Sequence, residues 1–166
     1  MGKIMNKNFR IRNYETGVSW QVTVGQIEDL LVSFGAEAIL KDYMGDGRIA
    51  ALSFKYKQRG YRLPANSEKI SEMLKDYPGY KNAVKQRRDD QAERIAWRNV
   101  RDWLEAQVAL IRTSQVEVEQ IMLPYMCYGE ATLYDKLKRE GFMLSNYGEP
   151  RGVSSTRSIT GEEGGE

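Results

Sequence analysis

Residues 81–113 contain neither proline nor glycine, and no other feature of the chain limits its fold as strongly. A stretch of that length keeps every backbone donor available to an i→i−4 ladder and holds none of the strong helix breakers. Ala96, Val100, Trp103 and Ile111 lie beside Trp97, Leu104, Val108 and Leu110 at helical spacing, a wide apolar stripe. The spacing predicts a long central helix over about 81–113. Its second half, Trp97 to Ile111, is expected in the core, and its Lys- and Arg-rich first half, Lys81 to Arg98, on the surface.

What such a helix packs on is read from the flanking segments. Val18, Trp20, Val22 and Val24 alternate with polar residues at the period of a half-buried strand, which Phe9 and Ile11 extend upstream. Thr23 and Gln26 have the spacing of a capping box. A helix is expected from there, with Ile27, Leu30, Leu31 and Phe34 as its buried stripe and Gly35 as its stop. Ala36, Ala38 and Leu40 then alternate into a turn at Met44-Gly45-Asp46-Gly47. On the return arm Ala50, Leu52, Phe54 and Tyr56 share one face, and a second turn through Gln58, Arg59 and Gly60 leads to a strand ended by Pro64. A helix capped by Asn66 or Ser67 carries Ile70, Met73, Leu74 and Tyr77 before Pro78-Gly79 breaks it.

Beyond the long helix, short helices are expected around Val116 to Met122, capped by Thr113 or Ser114, and around Ala131 to Glu140, with Leu133, Tyr134 and Leu137 inward. The fold class is therefore α+β: a three- or four-stranded antiparallel sheet with helices packed on one face and short C-terminal helices. With 41% apolar residues, three Trp, ten Tyr and four Phe, residues 1–147 hold enough apolar surface for one domain. Residues 148–166 are Gly, Ser, Thr and Glu rich and are expected to be a disordered acidic and polar tail.

Composition narrows the chemistry. With no histidine and one cysteine, Cys127, the chain lacks the commonest zinc ligand and general base and cannot form an internal disulfide. No Walker-type or Gly-x-Gly-x-x-Gly loop is present, and the Gly45/Gly47 pair suits a turn. Asp89, Asp90 and Glu93 fall where a helix N-terminus favours negative charge. Cys127, flanked by Met126 and Tyr128, is expected as a small core residue. No enzyme activity, metal or cofactor is expected. No window has the apolar run of a signal peptide or membrane span, so a cytoplasmic setting without membrane association is expected.

Charge points elsewhere. Residues 53–101 carry thirteen basic and six acidic side chains, a net +7, within a chain of net +2. On the second hairpin Lys55, Lys57, Arg59 and Arg62 are interleaved with Tyr56 and Tyr61, the mixture of phosphate-pairing cations and stacking rings that single strands favour. If Tyr56 faces the core with Phe54, Tyr61 alone is left as a platform. On the long helix Lys85, Arg87, Arg88, Arg94 and Arg98 continue the positive ladder, although Arg98 with Asp102 and Arg101 with Glu105 are also spaced for ordinary surface ion pairs. Non-specific nucleic-acid binding through this hairpin and helix is the expected function. The alternative is a protein-interaction module docking through the long helix or Leu123-Pro124-Tyr125-Met126, and the wide stripe also permits a homo-oligomer.

A set of spaced residues adds context. Gly35-Ala36, Leu52-Ser53-Phe54, Leu63-Pro64, Ala96-Trp97-Arg98, Trp103, Glu105-Ala106-Gln107 and Leu123-Pro124-Tyr125 together resemble a group of small uncharacterised proteins encoded by bacteriophages and prophages. The similarity spans Trp20 to Tyr125. It carries no known activity and no catalytic or binding residue. It implies a phage accessory protein acting in a host-cell cytoplasm, either handling DNA or binding a host or phage protein such as a defence component.

Overall fold

The computed structural model describes residues 10–141; Phe9, the expected domain limit at 147 and the expected tail at 148–166 lie outside them. The fold is α+β. Helix α1 (Trp20–Ser33) leads into strands β1 (Ala38–Tyr43), β2 (Ile49–Tyr56) and β3 (Arg59–Pro64), followed by α2 (Ser67–Leu74) and the long α3 (Lys85–Arg112). The chain then forms α4 (Val118–Met122), a 3-10 turn (Leu123–Tyr125), a two-stranded ribbon of β4 (Cys127–Tyr128) and β5 (Ala131–Thr132), and α5 (Leu133–Arg139). The main sheet is antiparallel in the order β1-β2-β3.

The expected strand at Val18–Val24 is instead the start of α1. Ser19 is extended, its Oγ accepts from the Val22 amide at 3.3 Å, and the helix begins at Trp20. The Thr23 hydroxyl donates to the Ser19 carbonyl at 3.2 Å rather than opening a capping box with Gln26. Thr23, Val24, Ile27 and Leu31 are the buried positions, so burial against the core overrides the β preference of the branched residues. Gly35, at φ +106°, ends the helix as expected.

Cross-strand partners share a face of a sheet, so pairing decides what points inward. Ile39 is opposite Phe54 and Phe54 opposite Tyr61, and all three join the core with Leu52 and Leu63. The face expected for β1 is thereby reversed: Ala38 and Leu40 point outward, and Leu40 is 64% exposed. The second turn lies at Lys57 and Gln58, both at positive φ, while Arg59 and Gly60 belong to β3. Gly60 is where the ribbon crosses, since a Cβ there would sit 3.5 Å from the Cys127 sulfur. Cys127 itself is exposed on the ribbon rather than a core residue.

Helix α3 starts at Lys85, four residues later than expected. Its most buried stretch is Gln91 to Trp97, so the first half is core as well. The cause is α2, whose Leu74 packs with Ile11, Ala92 and Ile95 in a second apolar cluster. The main cluster joins α1, β2, β3, α4 and the rest of α3 around Trp97, Leu104 and Val108. Helix α4 is capped by Glu117 and Gln120 in a capping box, not by Thr113 or Ser114. On α5, Tyr134 faces solvent instead of the core.

Candidate functional site

The expected nucleic-acid residues divide between two sides of the sheet. Lys55 and Arg62 lie on its outer face, because their neighbours Phe54 and Tyr61 point into the core with α3. The α3 cations sit on the helical side and do not converge with them. Tyr61 is 1% exposed and stacks on Phe54 with ring centroids 5.2 Å apart, so it offers no platform for a base. The alternation that placed it outside was displaced by the position of the turn: with Lys57 and Gln58 at the tip, Tyr61 pairs with Phe54 and follows it inward.

Most of these cations already hold an anion. Lys55 pairs with Glu37 at 3.3 Å, Arg59 with Glu119 at 3.5 Å and Arg62 with Asp42 at 3.3 Å. On α3, Lys85 pairs with Asp89 at 2.5 Å and Arg98 with Asp102 at 3.6 Å, while Arg88 donates to the Ala83 carbonyl. Lys57 and Arg87 instead lie over tyrosine rings, 5.1 Å from the centroid of Tyr56 and 5.3 Å from that of Tyr80. Bonding to the Tyr56 hydroxyl raises the Lys57 ammonium above its ordinary range. Arg94 is half-buried and makes no hydrogen bond or ion pair among the described residues. A cleft of about 440 Å³ gathers Arg10, Arg12 and Arg98, yet Arg10 is paired with Glu15 and Arg12 with Asp102.

A buried polar network was not anticipated. Glu93, expected near the start of the helix on its surface half, is fully buried: its Oε1 accepts from the Trp97 indole at 2.9 Å, and its Oε2 has no hydrogen-bond partner among the described residues. The nearest cation is Arg48 at 4.0 Å, itself held by Asp46 at 2.6 Å in the β1–β2 turn. One turn earlier on α3, Asp89 accepts from the Ser71 hydroxyl at 2.6 Å as well as from Lys85. Burial works to raise the Asp89 carboxyl, but the bonds from Lys85 and Ser71 outweigh it and hold it below the usual carboxylate range. These contacts tie the first hairpin and α2 to α3. Among the described residues no three Asp, Glu or Cys side chains converge as a metal site would need.

The other distinctive surface mixes aromatic and proline side chains with polar ones. A groove of about 580 Å³ runs between the end of β3, the 3-10 turn, the ribbon and α5, lined by Arg62, Pro64, Pro124, Tyr125, Glu130 and Tyr134 among others. A smaller cleft of about 220 Å³, formed with Leu63, Val100 and Trp103, shares Pro64 and Tyr125 with it. The Trp103 and Tyr125 rings are 5.5 Å apart at 59°, which anchors the wall between the two. Around them Leu123, Tyr128 and Tyr134 stand 49%, 52% and 47% exposed. The local sequence explains the arrangement: Pro124 ends α4 as a 3-10 turn, Gly129 at φ +62° turns the ribbon, and Thr132 caps α5 by bonding with Asp135.

Comparison of the chain with protein-family models, curated proteins and solved structures finds no match. No helix among the described residues is long and apolar enough to cross a membrane.

Proposed function

We propose that the chain is a non-enzymatic protein-interaction module that docks a partner in the groove beside Tyr125. One observation carries this reading: Pro64, Pro124, Tyr125 and Tyr134 line a groove, and Leu123 of the 3-10 turn and Tyr128 of the ribbon are exposed on the elements that form it. Large exposed aromatic and aliphatic side chains around a concave surface with a polar rim are what interface hot spots are made of. Leu123-Pro124-Tyr125 is the segment that the sequence offers for docking. The alternative docking element, the long helix, is less suited because Trp97 is fully buried. If the chain is phage-encoded, a host or phage protein in the host cytoplasm is the natural partner. The test is a pull-down from lysate of the source cells with wild type and with Tyr134→Ser. A stoichiometric partner retained by wild type and lost by the variant supports the proposal. Equal retention by both contradicts it.

Non-specific nucleic-acid binding is favoured by a different observation, the cation–tyrosine pairs Lys57–Tyr56 on the second hairpin and Arg87–Tyr80 at the start of α3. Such pairs present positive charge and a ring together. Fluorescence anisotropy with single- and double-stranded oligonucleotides over a salt series measures it. Micromolar binding that weakens with salt supports this reading, and no binding at about 50 mM salt removes it.

A further inference from the structure

The segment before α1 is fastened to α3. Gln91 donates to the Tyr14 and Thr16 carbonyls at 3.0 Å each, and the Asn13 amide donates to Asn99 at 2.9 Å and Asp102 at 3.1 Å. The cleft of about 440 Å³ at this junction is lined by Arg10, Arg12, Asn13, Glu15 and Arg98 among others, and its charges do not cancel. On the rim Arg10 and Glu15 match one to one at 3.0 Å. Arg101 touches Asp102 at 3.4 Å but is matched by Glu105, to which it donates twice. That leaves Asp102 between two further guanidiniums, Arg12 at 3.3 Å and Arg98 at 3.6 Å. Both contacts are longer than the about 2.7–2.9 Å of a charge-assisted bond, so neither arginine fork is used up. One turn before Arg98 on the same face of α3, Arg94 makes no hydrogen bond or ion pair among the described residues, and Asp90 beyond it is bonded to Gln86 instead. Three guanidiniums thus stand against one carboxylate, a surplus of two positive charges. Burial works to raise the Asp102 carboxyl, but bonds from Asn13, Arg12 and Arg101 hold it below the usual carboxylate range.

We propose that this cleft binds a small phosphate dianion, held between the Arg12 and Arg98 guanidiniums with Arg94 adding its charge. The surplus selects the ligand class. A phosphate monoester carries about −1.5 to −2 at pH 7 and so matches it, whereas a carboxylate or a phosphodiester carries a single charge. Guanidinium forks also fit phosphate oxygens in pairs, and Arg98, with its side chain only 27% exposed, offers its charge where water screens it little. No ring in the cleft is open to a base: Tyr14 packs on Tyr77 and Tyr80, with centroids 5.0 and 5.9 Å away, so the fit is to a small phosphate rather than a nucleotide. The site shares no lining residue with the groove beside Tyr125 and does not rest on partner docking there.

Isothermal titration calorimetry of the full chain with inorganic phosphate, glycerol phosphate and dimethyl phosphate tests it, at about pH 8, above the second phosphate pKa of about 6. Inorganic phosphate or glycerol phosphate is expected to bind with a Kd at or below about 1 mM, the tighter of the two naming the source, and the dimethyl diester at least ~10-fold more weakly. Arg12→Gln, at a side chain 75% exposed, and Arg94→Gln, which breaks no ion pair, are each expected to weaken binding by at least ~5-fold. Lys75→Ala, which removes a cation paired with Glu72 on the surface beside α2, is expected to leave it unchanged. Absence of binding by both phosphates up to about 10 mM overturns the proposal, as does binding indifferent to Arg12→Gln and Arg94→Gln. Equal binding of the diester also overturns it and points to a nucleic-acid backbone instead. An equal loss in Lys75→Ala marks a response to overall charge and removes the site.

Discussion

Two stretches of α3 are finished in opposite ways. Where it meets α2 and the first hairpin, charged and polar groups are taken out of water: Glu93, Asp89 and Ser71 are all buried and Arg48 reaches in beside them. Where Trp103 meets Tyr125 of the 3-10 turn, apolar groups are left in water nearby: Leu123, Tyr128 and Tyr134, on the turn, the ribbon and α5, are about half exposed. Burying charge costs stability unless each group is matched, while exposing rings gains nothing in the free monomer. The first stretch therefore serves to fix how hairpin and helices are joined. The second leaves large apolar side chains half in solvent, a composition that suits contact with something else.

The largest expected effect breaks the buried stretch. Arg48→Ala leaves the Glu93 carboxylate without a cation in a site closed to water, and is expected to cost about 2–3 kcal/mol in urea unfolding. Glu93→Gln, which keeps an acceptor for the Trp97 indole and removes the charge, should cost less than Arg48→Ala, and combining the two should restore part of the loss. If Arg48→Ala costs no more than a surface substitution, the pair does not hold this stretch together.

An acid titration sharpens the same half of the comparison. The Asp89 carboxyl is held below its unfolded value, so its contribution is present above the unfolded pKa of about 3.9 and is lost as pH falls through the lower folded value. Stability should therefore decline in acid more steeply for wild type than for Asp89→Asn, which lacks the titrating group. Parallel declines of the two proteins, followed by thermal unfolding from about pH 5 downward, would show that Asp89 is not linked to folding.

At the exposed stretch the sign of the contrast reverses. Tyr134→Ser is expected to change stability by no more than about 0.5 kcal/mol, because its ring is half in solvent, yet to weaken partner capture. The ion-paired surface cations have small effects on stability, and Lys55, which does not line the groove, has none on partner capture: Lys55→Ala and Arg62→Ala should each shift unfolding by less than about 1 kcal/mol, the ordinary worth of an exposed pair.

Much of this architecture is legible in the sequence, and the parts that are not share a cause. The α+β class, the first hairpin, the end of β3 at Pro64, the α2 stripe and the length of α3 all follow from local periodicity and from proline and glycine. Val18 to Val24 misled because β-branched residues alternate there, while a distant core claims Val24, Ile27 and Leu31 at helical spacing. Tyr61 lies in the core rather than on the surface because the turn is at Lys57 and Gln58, which pairs Tyr61 with the inward-facing Phe54. Glu93 carries no local mark of burial. It is enclosed because α2 and the β1–β2 turn both pack on that face of α3, a tertiary fact to which Asp46, Arg48 and Ser71 each contribute one piece. The groove was half visible, in Leu123-Pro124-Tyr125, but Pro64 and Tyr134 join it only in three dimensions.

The most direct test of the central claim compares two exposed apolar positions as photocrosslinkers in lysate of the source cells. A benzophenone side chain replaces Tyr134, on the groove, or Val84, which is exposed just before α3. A discrete adduct from position 134 and none from position 84 is the expected result. The same adducts from both positions, or none from position 134, would contradict a partner seated in the groove.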